Sequence, residues 1–266
     1  MPAILLHGGA GNWEEKHLEK AKFFLKEAAD YGINLLRKNK TALDVIEKCI
    51  NRLEDSGLFN AGLGSARQAD GKARMDASIM SDDLRCGAVA SLEGIKNPIS
   101  VARSVMEKTN HVLLAGKFAR DFAIKNGFEK IEIKQNSKRK EETVGCLVLD
   151  NSGNLAGGNS TGGLGGSAKM IPGRIGDSPL IGAGLYVNEF AGAVTTGTGE
   201  AFIKTSLART ACFFIENDLH PQKAAEKSIK LMKEKTGFDG GIIILDSKGN
   251  KGVFYSTKEM PWVFKS

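Results

Sequence analysis

The stretch Glu142-Thr143-Val144-Gly145-Cys146-Leu147-Val148-Leu149-Asp150 decides how this chain is read. From Val144 onward it is apolar and rich in β-branched residues, which predicts a strand over 144–150. Asn151-Ser152-Gly153-Asn154 follows and then a second strand over 155–160, so the pair predicts a hairpin closed by a Gly/Asn turn. Residues 131–142, just before it, are polar, charged and poor in large apolar side chains after Ile133. Taken plainly, that segment is a surface loop. Taken further, it is a segment built to be exposed and cut, dividing the chain into fragments 1–142 and 143–266. On its own, Thr143 is an ordinary β-branched strand residue.

The same pattern recurs outward from this hairpin. Strands over 73–80 and 85–92 flank a Ser-Asp-Asp turn, and strands over 241–246 and 252–256 flank Ser247-Lys248-Gly249-Asn250. Leu149-Asp150-x-x-Gly153-Asn154 and Leu245-Asp246-x-x-Gly249-Asn250 match because both are hairpin turns, not because the chain repeats itself. A short strand over 4–6 runs into His7-Gly8-Gly9-Ala10-Gly11, with His7 placed for burial at its end. Helices are expected over 14–38, 41–55, 100–106, 112–125, 200–217 and 221–236. In the second of these, Leu43, Ile46, Ile50 and Leu53 fall on one face, Thr41 and Asp44 form a capping box, and Gly57 stops the helix. Hairpins imply antiparallel sheets, and helices must cover them, so an α+β fold in layers of helix and antiparallel sheet is expected.

Composition removes several function classes. The 266 residues are 41% hydrophobic and 26% charged, enough for one large domain with its own core. Cys49, Cys86, Cys146 and Cys212 form no C-x-x-C pair, which argues against a zinc site or a disulfide frame and for a reducing, cytoplasmic compartment. The apolar N-terminal run is too short for a signal peptide, and no 18 apolar residues run together, so no membrane span is expected. The net charge of +6 raises nucleic acid as a partner. Its one dense source is Lys134, Lys138, Arg139 and Lys140, without interleaved aromatics, which reads as a solvated linker and not a nucleic-acid surface. Among 32 glycines no Walker motif occurs, and Gly62-x-Gly64, Gly182-x-Gly184 and Gly197-x-Gly199 each lack the third glycine of a dinucleotide fingerprint. Gly158-Asn159-Ser160-Thr161-Gly162 matches G-x-S-x-G, with Asp177 and His220 following in α/β-hydrolase order. That runner-up makes Ser160 a nucleophile, but Gly162, Gly163, Gly165 and Gly166 are a poor start for the helix such an elbow needs.

Beyond the opening stretch, Ser160-Thr161-Gly162-Gly163, the run from Pro172-Gly173-Arg174-Ile175-Gly176-Asp177-Ser178 to Gly184, and Thr196-Gly197-Thr198-Gly199-Glu200 occur in sequence. Upstream stand His7-Gly8-Gly9-Ala10-Gly11, Phe59-Asn60-Ala61-Gly62-Leu63-Gly64, Met75-Asp76-Ala77-Ser78-Ile79-Met80 and Gly87-Ala88-Val89-Ala90. In this order the set resembles the plant-type asparaginases, also called isoaspartyl peptidases, of the N-terminal-nucleophile hydrolases. Each motif is weak alone; the ordered set covers nearly the whole chain. Three departures stand out. The stretch before Thr143 is short, Glu142 stands where the family more often has glycine or aspartate, and 163–172 is a few residues longer. The first two bear on the rate of self-cleavage, the third on one wall of the pocket.

The resemblance implies a four-layer αββα sandwich and self-cleavage between Glu142 and Thr143. It makes Thr143 the nucleophile and its freed α-amine the base, so no catalytic histidine or catalytic cofactor is needed. It places Thr161 beside Thr143 as an orienting or activating hydroxyl, where a lone threonine would be a turn residue. Thr196 and Gly197 become the oxyanion hole. The substrate is asparagine or a β-aspartyl dipeptide, a zwitterion that needs one fixed cation and one fixed anion. Arg174 and Asp177 supply them, helped by the Gly199 carbonyl, and Asn60 supports the pocket from the N-terminal fragment; outside that role Arg174 and Asp177 would simply pair with each other. The resemblance also implies a structural sodium on backbone carbonyls of Leu53, Glu54, Ser56, Phe59, Ala61 and Leu63, and association of two cleaved heterodimers. An uncleaved relative that only binds an amino acid is the non-enzymatic alternative.

Overall fold

The computed structural model describes residues 1–133, 143–164 and 171–266. Two sheets lie face to face. The larger is built from β1 (Ala3–His7), β2 (Met75–Ser81), β3 (Cys86–Leu92), β4 (Leu113–Ala115), β5 (Val144–Leu149), β6 (Leu155–Thr161) and β11 (Trp262–Lys265). Its spatial order is β11-β1-β5-β6-β2-β3-β4. The smaller, in order β10-β9-β8-β7, joins β7 (Leu185–Val187), β8 (Ala191–Gly197), β9 (Gly240–Asp246) and β10 (Lys251–Tyr255). Helices α1 (Glu15–Arg37), α2 (Ala42–Asp55), α3 (Pro98–Lys108) and α4 (Gly116–Lys125) cover the large sheet. On the small sheet lie α6 (Leu207–Glu216) and α7 (Pro221–Thr236), with α5 (Gly199–Thr205) packed on both of them. The result is the αββα sandwich.

Strand alternation builds these layers. On β5, Val144, Cys146 and Val148 join the core under the helices, while Leu147 and Leu149 join the core between the sheets. On β9, Ile242 and Ile244 face α6 and α7, while Ile243 and Leu245 face the large sheet. Gly157 on β6 sets how close the sheets come, because a Cβ there would sit 2.7 Å from Leu185 and 2.9 Å from Leu147. Thr41 caps α2 by accepting from Asp44 N–H at 3.2 Å, and the Asp44 carboxylate returns a bond to the Thr41 backbone, completing the expected box.

Three expectations need correction. β4 pairs with β3 in parallel, so the large sheet is not wholly antiparallel. The expected helix over 112–125 therefore begins as an edge strand, and only 116–125 is helical. The expected helix over 200–217 is two helices, because Ser206 adopts a left-handed backbone (φ 46°) between α5 and α6. Glu142, the basic cluster at 134–140, and Gly165 and Gly166 of the longer 163–172 segment lie outside the described residues. Among the described residues no helix is long and apolar enough to cross a membrane.

Candidate active site

Thr143 stands at the entry to β5 and Thr161 at the end of the neighbouring β6. Both follow the strand parity that faces the small sheet. The Thr143 hydroxyl donates to Thr161 Oγ1 at 3.1 Å, and the same oxygen accepts from Gly163 N–H at 3.1 Å. Thr161 is thus fixed by its own turn and presents a held oxygen to Thr143. Behind them, His7 accepts from Gly9 N–H through Nδ1 at 3.1 Å, which leaves the ring proton on Nε2, facing the Thr143 carbonyl. Burial pushes the His7 pKa down to about 3, so the ring is a neutral prop and not a titrating base at pH 7.

Across the cleft, β8 ends in Thr196 and Gly197. The buried Thr196 Oγ1 accepts from Ala10 N–H at 3.1 Å, so its own proton is available to another acceptor. Gly197 has φ +132°, and a Cβ there would lie 2.8 Å from Gly240 Cα. Only a bare backbone fits this turn, which exposes the peptide to the cleft. Thr143, Thr161 and Gly197 line the same cleft as Gly163, Leu164, Arg174, Gly176, Asp177 and Ser178, around about 290 Å³ of space partly open to solvent.

Arg174 and Asp177 do not pair with each other. Arg174 donates from Nε to Glu200 Oε1 at 2.8 Å and from Nη2 to Glu200 Oε2 at 2.7 Å. Asp177 accepts from the Thr195 hydroxyl at 2.8 Å. Burial raises the Asp177 pKa to about 6, against the lowering effect of that hydroxyl and of Arg174. Gly199 closes this corner: a Cβ on it would lie 2.7 Å from Asp177 Oδ1 and 2.9 Å from Arg174 Nη2. Asn60 reaches the cleft wall from the N-terminal fragment. Its Nδ2 donates to the Gly163 carbonyl at 2.6 Å and its Oδ1 accepts from Ala66 N–H at 2.8 Å, so the amide holds the 162–163 turn that forms a wall of the cleft.

Several residues at the site carried no role in the sequence reading. Glu200 had a visible signal, an acid directly after Gly197-x-Gly199, but its partner is 26 residues away. Asp76 is a lone acid within apolar β2; its carboxylate accepts from Ser91 N–H at 2.7 Å and Gly176 N–H at 3.4 Å, and burial raises its pKa to about 6. Gln68 binds Gly173 N–H at 2.9 Å and the Arg174 carbonyl at 3.4 Å, and gave no signal at all.

The loop after α2 offers a set of hard oxygen donors of the kind a sodium ion takes. It winds tightly: a Cβ on Gly62 would lie 2.8 Å from the Glu54 carbonyl, and one on Gly64 2.9 Å from the Gly57 carbonyl and in contact with Phe59 O. Leu53 O accepts from Ser56 Oγ at 2.7 Å and Ala61 O from Gly64 N–H at 3.1 Å. The Glu54 side chain points elsewhere, bonding Asn97 Nδ2 at 3.0 Å and Ile99 N–H at 3.2 Å at the start of α3.

The Ser160, Asp177, His220 triad is not assembled. Ser160 lies inside β6 and not on a strand-to-helix elbow, facing the helix layer, with its hydroxyl buried against the Glu54 carboxyl. Asp177 is bound to Thr195. His220 is an exposed cap of α7, accepting from Gln222 N–H at 3.2 Å. Ser160→Ala and His220→Ala are therefore expected to keep amidase activity within about three-fold, where a true triad loses roughly 10⁴-fold. Steady-state rates on both variants check this, and a triad-sized collapse in both would restore the serine mechanism.

With this geometry in place, comparison with known proteins gives a uniform result. A family model described as asparaginase matches residues 1–136 and 129–266. A plant-type L-asparaginase of Pyrococcus abyssi is 42% identical over 298 aligned positions, covering 99% of this chain and 96% of that protein. An isoaspartyl peptidase/L-asparaginase of Bos taurus and one of Homo sapiens are each 38% identical, covering 98% of this chain and 92% of theirs.

Proposed function

The chain belongs to the asparaginase family of plant-type asparaginases and isoaspartyl peptidases, and from that premise we propose that it cleaves itself before Thr143 and then hydrolyses L-asparagine, β-aspartyl dipeptides or both. The observation that carries this is one cleft holding the Thr143–Thr161 hydroxyl pair beside one guanidinium and one carboxylate. A zwitterion with its scissile amide on the side chain matches that arrangement of charges.

In the uncut chain the Thr143 nitrogen is an amide and cannot act as a base. Attack of the Thr143 hydroxyl on the Glu142 carbonyl forms an ester and frees the α-amine; water then splits the ester into fragments 1–142 and 143–266. A free α-amine has a pKa of about 7.7–8.0, close to what a general base needs at neutral pH. It takes the Thr143 hydroxyl proton as the oxygen attacks the substrate's side-chain amide. Thr161 holds that hydroxyl in line. Charge developing on the carbonyl oxygen is met by the Thr196 hydroxyl and the Gly197 N–H. A preset donor of this kind lowers such a barrier by roughly 3–4 kcal/mol. Ammonia or the amino acid leaves with a proton from the amine, and water releases aspartate from the threonine ester. Arg174 takes the substrate's α-carboxylate; Asp177 and the Gly199 carbonyl take its α-ammonium.

The proposal extends to the setting of the enzyme. The carbonyls of Leu53, Glu54, Ser56, Phe59, Ala61 and Leu63 would hold a sodium ion, which would stiffen the loop bearing Asn60 and through it the Gly163 turn. Two cut heterodimers associate, and the protein works in the cytoplasm on a small-molecule substrate. Ammonia release from asparagine, set against amino-acid release from a β-aspartyl dipeptide, tests the activity; a permanently single chain by intact mass, with release from neither, would leave the uncleaved amino-acid-binding alternative.

The acid limb of the pH profile follows from Asp177. It must be ionised to accept from an ammonium, and its pKa lies at about 6. Activity on asparagine is expected to fall as pH drops through 6, separately from the loss caused by protonating the α-amine. The limb near 6 should vanish with an analogue lacking the α-amine, and its persistence there would remove Asp177 from the ammonium site. Acid unfolding does not mimic this. A buried carboxyl with a raised pKa binds its proton more tightly folded than unfolded, so acidification from about 6 toward 4 adds stability from this group.

A further inference from the structure

We propose that Glu200 is a positioning residue that decides which edge of the Arg174 guanidinium meets the substrate, an inference that rests on Arg174 taking the α-carboxylate. A guanidinium offers flat edges, each with two N–H bonds able to grip a carboxylate side by side. Glu200 occupies the edge formed by Nε and Nη2, at 2.8 and 2.7 Å. This leaves the end-on edge, Nη1 with the second hydrogen of Nη2, for another carboxylate. Glycines keep the surroundings of that edge bare: a Cβ on Gly176 would lie 2.7 Å from Nη1, and one on Gly199 2.9 Å from Nη2.

Glu200 acts on the side chain and not on the backbone beneath it. Gln68 holds that backbone independently, through Gly173 N–H at 2.9 Å and the Arg174 carbonyl at 3.4 Å. Without Glu200 the nearest uses for the guanidinium are the wrong ones. Asp177 lies in the same cleft and already feels the charge of Arg174. Collapse of Arg174 onto Asp177 would remove both charges that a zwitterion needs. Glu200 sits at the outer side of the pair, with its side chain 44% exposed, and keeps the two apart by giving Arg174 a better partner. Arg174 in turn holds the Glu200 carboxyl below the usual range, so the clamp stays ionised at neutral pH.

The test compares fully cut wild type, Glu200→Gln, Glu200→Asp and Arg174→Ala on asparagine and on an analogue lacking the α-carboxylate. Glu200→Gln keeps the shape and loses the charge and the fork. Its KM for asparagine is expected to rise about ten-fold or more, with kcat within about three-fold and the analogue nearly unaffected. Glu200→Asp keeps the charge at shorter reach and should fall between; it carries the comparison alone if Glu200→Gln does not mature. A wild-type KM in these variants, or an equal loss on both substrates, overturns the proposal. Arg174→Ala separates the two levels. If it keeps the preference for the α-carboxylate, the underlying assignment of Arg174 fails. If it loses that preference while the Glu200 variants keep theirs, only the role of Glu200 falls.

Discussion

Thr143→Ala is expected to remain a single uncut chain and to release no product from asparagine, a loss of about 10⁴-fold or more. One substitution removes two things at once. The hydroxyl that attacks Glu142 is gone, so no α-amine is freed, and the hydroxyl that attacks substrate is gone with it. The fold should survive, since among the described residues the side-chain hydrogen bond of Thr143 is the 3.1 Å contact to Thr161, and the strand behind it begins at Val144. Thr143→Ser keeps both the hydroxyl and the nitrogen and should cut itself and work, more slowly. Intact mass and N-terminal sequencing check this: wild type gives a fragment beginning Thr-Val-Gly-Cys, and the alanine variant does not. Splitting of Thr143→Ala after Glu142 would show that another group does the cutting.

The second large effect is at Arg174. Losing a charged partner in a closed site costs about 2–5 kcal/mol, much of it from the stranded opposite charge. Arg174→Ala strands the substrate's α-carboxylate and releases the half-exposed Glu200, whose two oxygens Arg174 had held. Arg174→Lys should already be impaired, because an ammonium cannot grip two carboxylates on two edges. Wild type should greatly prefer asparagine over an analogue lacking the α-carboxylate, and a fully cut Arg174→Ala enzyme should lose most of that preference. Kinetics on both compounds, with cleavage verified by mass, decide the matter. A retained preference returns Arg174 to a structural role.

Local patterns in the sequence carried as far as local physics reaches. The capping box at Thr41 and the hairpin turns at Gly153 and Gly249 follow from a few adjacent residues, and the structure has them where the spacing put them. The four-layer arrangement came through resemblance, since no periodicity states which strands neighbour which. What local signals missed is short or strained. A three-residue edge strand such as β4 has too few residues for alternation to register. Ser206 breaks a helix with a left-handed backbone that serine rarely takes, so nothing in its type announces the break. At the site, Thr143, Thr161 and Gly197 lie in motifs that could be quoted. The clamps did not stand out, because Glu200, Gln68 and Asp76 act on residues 26, 106 and 100 positions away.

With the proposed cut at 142–143, the strand order of the large sheet would change the molecularity of folding. β1, from the first fragment, is held between β11 and β5, both from the second, and the second fragment's β6 lies against the first fragment's β2. Neither fragment owns the large sheet, although the small sheet belongs wholly to the second. The uncut precursor can thread this order as one molecule, at a rate independent of concentration. Once the 142–143 bond is gone, the same order must be rebuilt from two molecules, and dilution works against it. Separated, the halves would leave β1, β5, β6 and β2 with unpaired edges. Persistence of the cut form would then depend on how slowly the large sheet opens, a kinetic stability gained at the moment of severing.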